Sequence, residues 1–489
     1  LGWLIISAWV VAIAAVGGIV LVVWLVLGSP SLGELPRLSP NQLDAIATRA
    51  FAVVAGLGGV ALLMIAYRRQ RTAENGEQRE ITKLFTERFT TASEQLGSQH
   101  AAVRLAGVHA LAHLADDAPE GREDLAQMVI DVLCAYLRMP YSPAPKALPK
   151  NASKARREEH RERELECASF RQVRHTIIRV IGNHLREPTR WRGKDYDFTG
   201  VAFDGGDLSQ AHFGGGHVSF KAARFAEGEV SFIGAQFTNG LVSFAEAEFT
   251  GGTVSFALAQ FSGGEVAFAR AQFTSGLVDF SGTEFTGGRV TLHRAQFSGG
   301  TVSFQGARLH NDAVSFYEAV FTGGEVSFFG ARLSGGEISF AGVRLSEGRV
   351  SFEETQFTGS EVSFFGAHLS GGEVFFGHAE FSAGRISFAG VRLSEGRVSF
   401  EETQFTGSEV SFFGAHLSGG EVFFGHAEFS AGRISFAGVR LSEGKMSFEE
   451  AVFGGGELDF RGASGERPPG LISPWWDKAN EVVPEPEVP

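Results

Sequence analysis

Two histidines one helical turn apart, His109 and His113, are the pair in this sequence closest to metal-binding chemistry. A zinc site needs a third and usually a fourth ligand, and neither an HExxH glutamate nor a cysteine pair accompanies them, so they read as helix-surface histidines. Cys134 and Cys167 stand far apart without CxxC spacing, which offers neither a disulfide framework nor a metal clamp. Glycine is abundant, but each Gly-Gly follows one strand-like run and opens another. Phosphate-cradling loops need a helix there. The glutamates recur at fixed places in a repeat (Glu325, Glu337, Glu361, Glu373), where catalysis would need a unique convergent set. They read as solubilising charges. No enzyme, cofactor or metal is expected.

What remains is surface chemistry. Phe329, Phe365 and Phe413 each follow a core-type Phe, while Phe375 and Phe423 replace a usual outward Ser. Exposed aromatics that cluster mark contact surfaces, and these five are the candidate interaction residues.

The elements that carry them follow one rule: from Val218 the chain repeats V-S-F-x-x-A-x-F-[ST]-G-G-E with a period of 12. The series from Phe220 to Phe460 covers 21 positions, all Phe except Leu292. A strict period of this length means a solenoid. V-S-F and A-x-F alternate as short strands do, and the glycines are expected to supply the positive-φ corners. Packing sets the coil length. One 12-mer would enclose two Phe, a Val and an Ala in a cross-section too small for a close-packed interior. Two 12-mers fit, so the expectation is 24 residues per coil, with about 11 coils and a rod near 50 Å at roughly 4.8 Å per coil. Ile338–Gly396 and Ile386–Gly444 are identical, and their offset equals two such coils. Phe365 and Phe413 should therefore share a face about 10 Å apart.

At the start of the repeat Phe198, Phe203, Leu208 and Phe213 are five apart, with Val201 and Ala211 two places before their partners. Here FTGVAFDGGDLSQAHF resembles the pentapeptide-repeat family. The resemblance implies an all-β, right-handed, quadrilateral parallel β-helix. Beyond Gly465 the repeat stops; Leu471, Ile472, Trp475 and Trp476 could cover the open end before a Pro-rich tail.

Upstream the periodicity is helical. Apolar stripes at Ile81–Leu96, Val103–Leu114, Leu125–Tyr136 and Val173–Leu185 imply four helices, the second capped by Ser98. A basic connector (146–163) reads as a solvated linker, and AAVRLAGVHALAHLADD has a HEAT-like look. Further upstream, the uncharged run from Trp3 to Leu27 and the shorter one from Ala50 to Tyr67 are long and apolar enough for two transmembrane helices. Arg68, Arg69 and Arg71 follow the second, which by the positive-inside bias puts the remainder in the cytoplasm. Trp3, Trp24 and Tyr67 sit as interfacial anchors.

The whole reads as a two-helix membrane hairpin (1–71), a small all-α domain (72–190), a β-helix (191–464) and a cap with its tail (465–489). This organisation resembles membrane-anchored pentapeptide-repeat proteins of bacteria, for which the resemblance implies no established activity. The net charge of −13 resides in the repeat, where 30 acids face 16 bases between Phe198 and Gly465. The expected function is a scaffold at the cytoplasmic membrane, with lipid and an unidentified protein as partners. Neither nucleic acid nor a small-molecule substrate is expected as a ligand. The alternative is an acidic DNA mimic, as in pentapeptide-repeat proteins that bind DNA gyrase.

Overall fold

The computed structural model describes residues 39–141, 148–149, 153–310, 313–471 and 476–477, with eleven positions between 10 and 25. Those eleven are helical. The rest of the first apolar run, Trp3 included, lies outside the described residues.

Helix α1 spans Pro40–Leu96, with proline among its first residues, where a missing N–H is harmless. Among the described residues this is the one helix long and apolar enough to cross a membrane, over Phe51–Leu96, where the expectation was two. Its apolar side chains, Leu62, Leu63 and Met64 among them, are exposed. The helix does not stop at Arg68–Arg71. The second apolar run and the first amphipathic stripe are one continuous helix, because no Pro and only the isolated Gly76 interrupts good helix formers there.

Helices α2 (Ala101–Asp116), α3 (Glu123–Arg138) and α4 (Lys154–Arg186) bury the stripes read from the sequence, with Val108, Leu111, Val129, Leu133, Val173 and Ile177 all essentially inaccessible. Two local readings change. The N-cap of α2 is His100, and Ser98 instead accepts the His100 N–H at 3.2 Å. The basic stretch from Lys154 is not a linker but the first half of α4, capped by Ser153.

The repeat forms a parallel β-solenoid. Each strand pairs with its equivalent one coil on, a step of 24 in sequence number: Phe237 with Phe261, Phe261 with Phe285, Val374 with Val398. At the first coil the offset is 22, Tyr196 to Val218 and Ala202 to Arg224. It becomes 24 at Gly206–Val230, because the units there are still five residues long. The core is four stacks of rings and aliphatic side chains. Phe340, Phe364, Phe388 and Phe412 follow one another with centroids 4.8 Å apart and ring planes nearly parallel. Where Phe gives way to Leu345, Leu393 or Leu441, the preceding small residue is Val343, Val391 or Val439, which restores part of the lost volume.

Two details of the coil go beyond the sequence reading. All strands belong to two sheets, each joining an A-x-F strand to the V-S-F strand that follows it. In several coils a single strand such as Gln356–Ser363 runs through the turn segment, with a register shift at Thr358–Ser360. The sheet continues through this segment, where glycines take the expected positive φ, 90° at Gly240, 101° at Gly348 and 108° at Gly384. The tight corners are the F-x-x-A turns, closed by bonds such as Ala223 N–H to the Phe220 carbonyl at 3.0 Å. Their third residue has positive φ, and it is often not glycine: Leu258, Arg270, Glu354 and His426 lie between 54° and 58°.

Helix α4 closes the first coil. Gly182 lies so near it that a Cβ would stand 2.5 Å from the Asp207 carbonyl oxygen. Arg174, buried in α4, donates to the Leu137 carbonyl at 2.6 Å and the Ala202 carbonyl at 2.7 Å. Asp204, on the first coil, accepts from Tyr141 at 2.7 Å and contacts His175 and Arg171 at 2.9 Å each. Burial would raise its pKa, but the bonds from His175 and Tyr141 and the nearby charges outweigh this and hold it below the usual carboxylate range. Its stabilisation is thus complete above the unfolded-state pKa and is lost as pH falls through the lower folded value. We expect Asp204→Asn to destabilise this junction by about 2 kcal/mol at neutral pH. The deficit should shrink in acid, when the native carboxylate is itself protonated. Unfolding followed by Trp191 fluorescence across pH checks it; a constant deficit at all pH would refute the ionic role.

At the far end Leu471 is buried and Trp476 meets Phe460 edge-on at 5.6 Å, as a cap requires. Ile472 and Trp475 lie outside the described residues.

Candidate interaction surface

The 24-residue coil converts sequence spacing into columns on the solenoid surface. Ridge one, formed by one set of turns, carries Tyr317, Ala341, Phe365, Ala389, Phe413 and Ala437 in succession. Phe365 is 62% exposed, Tyr317 45% and Phe413 40%. Phe365 and Phe413 thus share a column two coils apart, as expected. The residue after each is Gly366 or Gly414, with open space around it.

Ridge two, half a coil away, carries Phe329, Glu353, Gly377, Glu401, Gly425 and Glu449. Phe375 and Phe423 lie on the strands just before this ridge, half-buried, with the guanidinium of Arg349 over Phe375 at 4.9 Å and that of Arg397 over Phe423 at 5.2 Å. The five candidate aromatics therefore form two groups at opposite edges: Phe365 with Phe413, and Phe329 with Phe375 and Phe423. Trp24 and Tyr67 are exposed on helical segments, as are Arg68, Arg69 and Arg71.

The charges are also sorted. On the sheet that contains Phe375, one column alternates Arg349, Glu373, Arg397, Glu421 and Lys445. Its neighbours are paired, Arg349–Glu373 at 3.2 Å and Arg397–Glu421 at 3.0 Å. The other sheet has the same arrangement in Arg385–Glu409, at 3.1 Å. These exposed pairs contribute little each, and they leave their columns nearly neutral. Ridge two holds the adjacent acids Glu353–Glu354, Glu401–Glu402 and Glu449–Glu450. Ser351 and Ser399 donate to Glu353 and Glu401 at 2.9 and 3.0 Å.

Sequence reading missed one further feature, the column Arg344, His368, Arg392, His416 and Arg440, joined by strand pairing at 24-residue steps. In the linear sequence these look like scattered bases; only the coil length, applied to charges as well as to Phe, would have found them. Among the described residues, no group of three or more His, Cys, Asp and Glu side chains is arranged to hold a metal ion. His109 and His113 are exposed on α2. Compared with protein-family models, curated proteins and solved structures, the chain matches none.

Proposed function

We propose that the chain is a membrane-tethered, non-catalytic scaffold whose β-helix, right-handed as the pentapeptide-repeat resemblance implies, stands in the cytoplasm and holds a partner protein. The observation that carries this reading is the edge formed by Phe329, Phe375 and Phe423 with Arg349 and Arg397. Aromatic and arginine side chains dominate the binding energy of protein interfaces, and here they recur on a rigid repeating support. The exposed apolar stretch of α1 and the arginines after it support the tether and its orientation. HEAT-like helices between tether and solenoid fit a spacer role, and repeated columns without a convergent unique cluster support the absence of catalysis.

The test has two parts. Reporter fusions at Gly33 and at the C-terminus should give an outside and an inside signal respectively; an inside signal at Gly33 or an outside one at the C-terminus removes the topology. A stoichiometric partner recovered with the native chain should be lost with Phe329→Ser/Phe375→Ser/Phe423→Ser, while the solenoid's circular dichroism is unchanged. Recovery of the same partner by that variant removes the docking edge.

One observation favours a second reading: the paired glutamates of ridge two recur at every second coil, a regular line of negative charge such as a DNA mimic presents. On that reading the protein inhibits DNA supercoiling by gyrase at low salt, and Glu→Gln changes at these pairs abolish the inhibition.

A further inference from the structure

We propose that the Arg–His column beside ridge one is a binding groove for single-stranded nucleic acid. Arg344, His368, Arg392 and His416 line a depression of about 430 Å³ together with the serines two places after each, Ser346, Ser370, Ser394 and Ser418. Apart from Val320 at the lower end of the column and the core residue Leu369, the lining side chains are cations, imidazoles and hydroxyls, which is the chemistry of an oxyanion site.

The neighbouring column shows what ordinary surface charge looks like here. There Arg349 and Arg397 are each matched by a glutamate one coil on. In the groove column each arginine is followed by a histidine instead, and among the described residues Arg344, Arg392 and Arg440 have no carboxylate within ion-pair distance. At its lower end Glu318 is bonded to Arg294 at 2.7 Å, and the charge of Arg344, beyond ion-pair distance, also acts on it. Glu347, three places past Arg344, lines the adjoining depression with Arg349 and Glu373. His416 Nε2 lies 3.0 Å from the Ser442 hydroxyl, a hydrogen bond that joins the Arg–His column to the serine column one coil on.

The pitch favours a strand of nucleotides. Successive coils advance by 4.8, 4.8, 4.8 and 5.3 Å between Phe340 and Phe436, the rings beneath this column. In a duplex each strand advances about 3.4 Å per phosphate and an extended single strand advances further, so one coil is commensurate with roughly one nucleotide. The aromatics decide between polyanions. Phe365 and Phe413 stand three residues before His368 and His416, at the rim of the groove, and between them lie only Ala389 and glycines. A cationic track edged by exposed rings is the arrangement on which unpaired bases stack. Paired bases cannot reach such rings, and neither inorganic polyphosphate nor a lipid headgroup has a base to offer them. The net negative charge of the repeat does not forbid this. Its paired acids lie on the opposite ridge, where screening is effective beyond about 8 Å at physiological salt, and the acids nearest the groove are the single carboxylates Glu347, Glu395 and Glu443, each one residue past a serine of the groove.

The experiment uses the full chain in nanodiscs of zwitterionic lipid and a fluorescein-labelled oligothymidylate, read by anisotropy at low salt. We expect binding that weakens about twentyfold between 50 and 200 mM salt, from about three phosphate contacts on a single strand. Arg344→Gln/Arg392→Gln/Arg440→Gln should weaken it at least tenfold, and Phe365→Ala/Phe413→Ala should do the same. Arg385→Gln/Arg433→Gln, on the other sheet, should leave it within twofold. No binding at about 100 μM protein overturns the proposal, as does equal affinity for the triple-arginine variant. Equal affinity for inorganic polyphosphate or for duplex DNA overturns the assignment to single strands, and binding to phosphatidylserine vesicles without the oligonucleotide overturns it in favour of lipid. None of these results depends on the protein-docking edge, whose substitutions lie elsewhere.

Discussion

Gly384→Val should break the solenoid locally and cost at least about 4 kcal/mol, more than any exposed substitution. Gly384 has φ of 108°, a region closed to β-branched residues, and a Cβ there would stand 2.2 Å from the Ser360 carbonyl oxygen one coil below. That oxygen belongs to a backbone clamped by the pairing of Ser360 with Gly384 and of Glu361 with Arg385. Relief requires the two coils to separate, which removes ladder bonds and opens the ring stack of Phe364 and Phe388. In a solenoid each coil is stabilised by its neighbours, so the damage should divide one cooperative transition into two. Gly390 is the control. Its φ is 66° and nothing lies within 4 Å of an added Cβ, so Gly390→Ala should cost about 1 kcal/mol from backbone strain alone. Leu258→Gly should have the opposite sign, about 1 kcal/mol of stabilisation, because Leu258 occupies φ of 58° with its side chain 64% exposed. Thermal melts by circular dichroism and hydrogen exchange of the flanking strands check all three. Equal effects of Gly384→Val and Gly390→Ala would show that the close approach of coils is not limiting.

These glycines mark the limit of what the sequence made legible. Coil length followed from volume: the two Phe, one Val and one Ala of a single repeat unit cannot share one small cross-section, and the strand pairing one double unit on agrees. The continuity of each sheet through its glycines did not follow. A Gly-Gly that closes a corner and one that bends a sheet have the same composition, and only the hydrogen bonds that continue through Gln356–Ser363 distinguish them. The true corners were hidden because positive φ is imposed there by the stacked turns, on Glu354 and Arg270 as readily as on Gly366. Continuity of α1 was hidden for a similar reason. A change from apolar to charged residues at Arg68 resembles a domain boundary, but without a cap or a proline it changes only the surroundings of the helix. The candidate aromatics were legible one by one. Their division between two edges, and the Arg–His column beside one of them, appear only once positions a full coil apart are read as neighbours.

Two deletions should separate the two surfaces, because they shift the columns differently. Removing Val350–Arg397 takes out two whole coils and joins Arg349 to Val398. Every downstream column stays in line: Arg349 meets Glu421 as it met Glu373, Phe329 keeps Phe423 on its edge, and the groove column shortens to Arg344, His416 and Arg440. Removing only Val350–Glu361 joins Arg349 to Val362 and turns everything beyond by half a coil. The core accepts this, since Leu369 then stacks on Leu333 and Phe381 on Leu345, all apolar. Both proteins should therefore fold, with the strand signal of a shorter solenoid. On the surface the outcomes cross over. The half-coil deletion sends Phe375 and Phe423 to the edge opposite Phe329, which should abolish docking of a protein that spans them. The same turn carries His368, Arg392, His416 and Arg440 onto the column above Arg308 and Arg332, and brings Phe365 and Phe413 into line with Phe329. Single-strand affinity should then rise severalfold, since the cationic column gains an arginine and Phe329 replaces the more distant Tyr317 in line with Phe365, although Arg308 is partly engaged by Glu284 at 3.0 Å. The two-coil deletion should do the reverse, keeping the protein partner and weakening the oligonucleotide about tenfold through the loss of Arg392, His368 and Phe365. Parallel losses or parallel retention of both ligands in the two variants would mean that they do not read separate columns, and the division of the surface would fail.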